Sequence, residues 1–252
     1  MRALLMALLL TSTTAFATSV ELTASDGTAL HADELGRGQH AVILIHDQGR
    51  TLADWGLFAE KLQSKGYRVL SLDLRGHGES KEILTFSDED WTAMTGDLQA
   101  AVKHVKNRGA KKISLVGAGL GANISIQVAS QDKSFTSLVA ISPGLNIRGY
   151  KPSVPITAMG ELPVMLAAGQ ADRKAASTVK FLQTKIAGAK RAVLLDGEST
   201  GTNLIDEYPN LEDNILTWLA GNYGAQDGTT AGAITTGDVD KLESQGKRYG
   251  ED

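Results

Sequence analysis

Ile113-Ser114-Leu115-Val116-Gly117-Ala118-Gly119-Leu120-Gly121-Ala122-Asn123 is the stretch on which the rest of the chain hangs. Its first residues suit a buried strand, its three glycines mark a very tight turn, and Leu120 opens a helix. Glycines at 117 and 121 would let strand and helix approach closely. Gly119 stands midway between them.

Working outward, short apolar runs alternate with helical patterns. Val20–Thr23 and Thr28–Glu34 flank the turn signal Ser25-Asp26-Gly27 and predict an antiparallel hairpin. Ala41–Ile45 reads as a strand buried on both faces, ending at His46-Asp47-Gln48-Gly49. A helix is predicted from Thr51, with Asp54 completing a capping-box-like start, and Gly66 ends it. Arg68–Leu72 is the next strand, and Ser87–Asp90 starts a helix whose stripe is Trp91, Met94, Leu98, Ala101 and Val105.

Beyond the central stretch, Ser137–Ile141 is a strand leading to Ser142-Pro143-Gly144, and a long loop runs to Leu162. Val164–Ala168 is a strand ending in Gly169-Gln170-Ala171-Asp172. Ala175, Val179, Leu182 and Ile186 mark a helix that stops at Gly188, Ala192–Leu195 is the last strand, and Pro209 opens the last helix. Eight strands and about five helices in this order predict an α/β fold with a mainly parallel sheet.

The chain has 252 residues and 42% hydrophobic content, enough for one substantial core. Its net charge of −4 argues against nucleic acid and against anionic membrane surfaces as partners. With no cysteine, disulfides and thiolate chemistry are excluded.

Residues 1–17 read as an export signal. Arg2 is the basic start, Leu4 to Leu10 the apolar centre, and Ala15-Phe16-Ala17 the cleavage site. The apolar run is too short to span a bilayer, and without cysteine no lipid anchor follows. The expectation is a periplasmic or secreted protein with a domain over 18–222 and a flexible tail over 223–252, rich in Gly, Thr and Asp.

Over roughly residues 19–222 the chain resembles the α/β-hydrolase family, in its small esterase, lipase and serine-peptidase form, which implies no large lid domain. His46-Asp47-Gln48-Gly49 is similar to the H-G-x-G oxyanion loop, and Asp73-Leu74-Arg75-Gly76-His77-Gly78-Glu79-Ser80 to the D-x-R-G-x-G-x-S segment. Gly117–Gly121 has the spacing of the G-x-S-x-G nucleophile elbow, and Gly169-x-x-Asp172 resembles the segment carrying the triad acid.

The resemblance implies acyl transfer by a serine in the elbow, a histidine after the last strand and an acid after the seventh. Of these only the acid, Asp172, is expected here. Gly119 stands at the serine position, and Thr200 falls where the family's histidine would lie. The five histidines are His31, His40, His46, His77 and His104, so none follows residue 104. Asp47, in place of the usual glycine, puts a carboxyl beside the oxyanion site, while the helix N-terminus at Leu120 favours negative charge.

The expectation is therefore a non-catalytic binder of a small molecule or a protein, built around Gly119, Asp172 and Thr200. His46, Asp47, Gln48, Leu120 and Ser142 would line its cleft. The resemblance extends to non-enzymatic members of the fold such as the neuroligins. The alternative is a hydrolase with a displaced nucleophile, Ser142 or Ser199. No cofactor is expected, and no metal, since His46, Asp47 and Asp172 lack a ligand-spacing motif.

Overall fold

The computed structural model describes residues 17–224. The expected export signal lies outside the described residues except for Ala17, and so does the expected tail from residue 225 on.

Eight strands form one sheet: β1 (Thr18–Thr23), β2 (Ala29–Leu35), β3 (His40–Ile45), β4 (Arg68–Leu72), β5 (Lys112–Ala118), β6 (Ser137–Ile141), β7 (Val164–Gly169) and β8 (Lys190–Leu195). Their spatial order is β1-β2-β4-β3-β5-β6-β7-β8. β1 pairs antiparallel with β2 and β2 with β4, and every later pair is parallel.

Seven α-helices are described: α1 (Gly56–Ser64), α2 (Asp88–Asn107), α3 (Leu120–Gln131), α4 (Pro155–Ala158), α5 (Arg173–Gln183), α6 (Asn203–Glu207) and α7 (Pro209–Leu219). The central strands are buried on both faces because successive side chains alternate across the sheet. Ala41, Ile43 and Ile45 of β3 pack with α2, α3 and α5, while Val42 and Leu44 pack with α1, α6 and α7.

The α2 N-terminus is as expected: Ser87 Oγ accepts from Asp90 N, and the Asp90 carboxylate accepts from Ser87 N. The predicted helix from Thr51 is instead a 3-10 turn over Leu52–Trp55, followed by α1 from Gly56. Asp73 Oδ1 accepts from Leu52 N, and Asp54 pairs with Arg50 rather than returning to the cap. Gly56, at φ 0° and ψ −100°, then breaks the helical path.

The long loop after β6 contains α4, and α5 ends at Gln183, before Ile186. Tyr223, assigned to the tail from sequence, packs edge-on against Trp218 with ring centroids 4.8 Å apart.

Candidate functional site

The site begins at the turn between β5 and α3. Gly119 has φ 51° and ψ −113°, a backbone in which a side chain is strained. Its N–H donates to Ile141 O at 2.9 Å, tying the turn to β6. A Cβ on Gly117 would strike the Gly121 backbone, and one on Gly121 would strike the backbone of Ile45 and His46. The outer glycines are therefore required by close approach of α3 to the sheet, as the spacing suggests.

A Cβ on Gly119 would meet something different. It would overlap the carboxylate of Asp47, colliding with Cγ, Oδ1 and Oδ2. That carboxylate is held in place by backbone. Asp47 Oδ1 accepts from Leu120 N at 2.7 Å and from Gln48 N at 2.7 Å. One donor follows the elbow and the other lies in the loop after β3, the two places from which this fold draws its oxyanion hole. Leu120 N also belongs to the first turn of α3, whose own N-cap, Gly119, offers no side-chain acceptor. Asp47 therefore serves as the cap, near the positive end of the helix dipole.

His46 fixes the loop that carries Asp47. It is fully buried, its Nδ1–H donates to Asp47 O at 2.7 Å, and its Nε2 accepts from Leu74 N at 3.0 Å. Burial pushes its pKa down to about 4, so it is neutral near pH 7. His77 does similar work, donating from Nδ1 to Arg75 O and accepting from Gly49 N. Gln48 is exposed, and its Oε1 accepts from Arg148 Nε at 2.9 Å. Arg148 lies over the Trp91 ring and has a left-handed backbone, φ 50°.

The other sequence-predicted positions converge from the far side. Asp172 caps α5, its Oδ1 accepting from Ala175 N at 3.0 Å. Its Oδ2 accepts from Thr200 Oγ1 at 3.0 Å, so the position expected for histidine keeps its link to the acid through a hydroxyl. Ser142 has φ 51°, and its Oγ accepts from Gly201 N at 2.9 Å. Gly201 closes the circle, since a Cβ there would lie 3.9 Å from Asp47 Oδ2. Ser199, the other displaced-nucleophile candidate, donates to Glu207.

Two participants were missed from sequence. Asn123 bonds Gly144 through both amide atoms and Tyr150 O through its nitrogen, anchoring the loop after β6 to α3. Arg148 reaches Gln48 across 100 residues, which no local pattern signals. Among the described residues, no group of three or more His, Cys, Asp or Glu is placed to hold a metal.

The sheet order, the β5–α3 elbow and the two-donor loop pair define an α/β-hydrolase fold. The sequence profile of the serine aminopeptidase S33 family matches residues 36–171, more than half of the chain, and the chain belongs to that family. The match includes the elbow and stops one residue before Asp172.

Among curated relatives, a 2-hydroxy-6-oxononadienedioate/2-hydroxy-6-oxononatrienedioate hydrolase of Pseudomonas putida is 28% identical over 138 residues, covering 52% of this chain and 45% of that protein. A pimeloyl-[acyl-carrier protein] methyl ester esterase of Aliivibrio fischeri is 32% identical over 134 residues, covering 50% and 48%. The chain thus spans about half the length of the curated relatives it matches. The solved structure of an esterase from Pyrococcus furiosus superposes with a TM-score of 0.67 at 18% identity, covering 82% of this chain and 93% of that one.

Proposed function

We propose that the cleft of this α/β-hydrolase-fold protein binds a small molecule or a protein without performing acyl transfer. The observation that carries this reading is the Asp47 carboxylate bonded to Gln48 N and Leu120 N, beside a glycine at 119. A tetrahedral intermediate needs those two donors free for its oxyanion. An acidic side chain already bonded to them competes for the site and adds like charge. The absence of any histidine after His104 and the threonine at 200 support the same reading. So does the bond from Thr200 to Asp172, which leaves that acid as a helix cap. Export to the periplasm or medium, argued from residues 1–17, is part of this proposal.

A second reading is ester hydrolysis by a displaced serine of the cleft. It is supported by the hydrolase and esterase names of the relatives and by Ser142, a non-glycine residue at positive φ. Fluorophosphonate labelling with peptide mapping separates the two. The binding reading expects no adduct on Ser142 or Ser199, and an adduct on either would replace it with the second reading.

A further inference from the structure

Ser19, His31 and Asp73 form a linked row outside the cleft described above. Ser19 Oγ lies 3.1 Å from His31 Nε2, and His31 Nδ1 lies 3.3 Å from Asp73 Oδ2. β1 supplies the serine, β2 the histidine and the residue after β4 the acid. In the β1–β2 register Ser19 faces Asp33 and Glu21 faces His31. Residues two apart share a sheet face, so Ser19 and His31 meet diagonally across the pair.

The row is held from behind. Asp73 is buried, its Oδ1 accepts from Leu52 N at 2.8 Å, and its Oδ2 accepts from Glu79 N at 3.0 Å. The His31 backbone N–H donates to Ser80 Oγ at 2.8 Å. Ser19 itself is exposed. The connectivity, hydroxyl to Nε2 and Nδ1 to carboxylate, is that of a serine activated by a histidine base.

We propose that Ser19 is a nucleophile toward small neutral carboxylic esters, with His31 as its base and Asp73 as the positioning residue. Ser19 Oγ bonds to the acyl carbon while its proton passes to His31 Nε2. The alkoxide departs with that proton as an alcohol. Water then attacks the acyl-serine, His31 takes the water's proton, and the carboxylic acid leaves as Ser19 regains its own. Asp73 accepts from Nδ1–H and holds Nε2 toward the hydroxyl.

Among the described residues β1 is the outermost strand, and alternate backbone N–H groups along its outer side, with no partner strand there, are the donors the proposal assigns to the oxyanion. Glu79 Oε2 and Asp33 Oδ1 lie 3.6 and 3.8 Å from His31 Nε2. These carboxylates disfavour anionic acyl groups, which is why the class is neutral esters. This inference is independent of the cleft reading, because none of its residues belongs to the cleft.

The test is to treat the full chain with a fluorophosphonate and map the adducts by peptide mass. Expected are an adduct on Ser19, a labelling rate at least tenfold lower in His31→Gln, and no adduct at that position in Ser19→Ala, each variant checked for folding by circular dichroism. In Asp73→Asn the pH profile of labelling should shift, which a loss of packing alone would not cause. No adduct on Ser19 would overturn the proposal, and so would equal rates in native and His31→Gln protein, which would make Ser19 merely an exposed serine. An unshifted profile in Asp73→Asn would remove Asp73 from the row. Adducts on Ser142 or Ser199 bear on the cleft reading instead.

Discussion

The Asp47 carboxylate lies where the Cβ of any residue other than glycine at position 119 would have to be. The two positions are 72 residues apart in sequence and are coupled sterically in the fold. Glycine at 119 makes room for the carboxylate, and the carboxylate takes up Leu120 N beside the elbow and Gln48 N in the loop after β3.

That coupling is measurable as a stability cycle. Gly119→Ala should cost more than the ~1–3 kcal/mol of placing a side chain at positive φ, because Asp47 must also move. Asp47→Ala should cost ~0.5–2 kcal/mol, as the loss of a helix cap does. The double variant should be less destabilised than the sum of the singles, since the overlap is gone. Chemical denaturation of the four proteins gives the cycle, and strict additivity would mean that the two residues do not compete for space.

His46 and His40 set a pH dependence. Burial holds both folded pKa values down to about 4, with the Lys112 charge adding to burial at His40. Unfolded histidine titrates near 6.5. As pH falls below 6.5 the unfolded chain takes up protons that the folded chain refuses, so stability is full above pH 6.5 and declines toward pH 4. For His46 the loss approaches about 3 kcal/mol at the bottom of that window. Melting temperature should fall steadily from pH 6.5 to 5, a range above most carboxylate titration. A constant value there would mean that the two imidazoles protonate freely in the folded state.

Arg75 and Asp97 form a buried pair, with Arg75 Nη2 2.6 Å from Asp97 Oδ1 and Asp97 fully buried. Asp97→Ala should cost about 3–5 kcal/mol by leaving the guanidinium buried against a missing partner. Asp26, 2.7 Å from Arg75 Nη1, softens that loss because it remains. A cost under 1 kcal/mol by urea denaturation would show that Arg75 turns out to solvent.

Asp172 is expected to matter as a cap. Asp172→Ala should destabilise by ~1 kcal/mol through Ala175 N at the start of α5. Thr200→Val, at an exposed position, should change stability by less than ~0.5 kcal/mol. A Thr200→Val loss exceeding that of Asp172→Ala would place the stabilising bond on the threonine side.

Much of the fold was legible in the sequence. Apolar runs such as Ala41–Ile45 and Val164–Ala168 are buried on both sides and have no other stable place. Gly117 and Gly121 marked the elbow because only backbone can pass there. Less legible were elements governed by distant partners. The 3-10 turn after Thr51 depends on Asp73, and the short helices α4 and α6 carry too few residues to show a period.

At the site, Asp47 was legible as a carboxyl beside the oxyanion position and Thr200 as a partner of Asp172. It could not show that Asp47 enters the hole, since the bond to Leu120 N joins residues 73 apart. The signal was present only as two departures, glycine for serine at 119 and aspartate for glycine at 47, whose relation needs the fold to be seen.

The most direct test is to install a serine at 119 and a histidine at 200 with and without the carboxylate. One protein carries Gly119→Ser and Thr200→His, and a second adds Asp47→Gly to that pair. Turnover of p-nitrophenyl acetate is measured for both, each compared with the native protein to remove any contribution from Ser19. The double variant should stay at the native level, because Asp47 overlaps the new serine and occupies the oxyanion donors. The triple variant should rise above it. Turnover that is the same whether Asp47 is present or absent would contradict the claim that this side chain closes the site to acyl transfer.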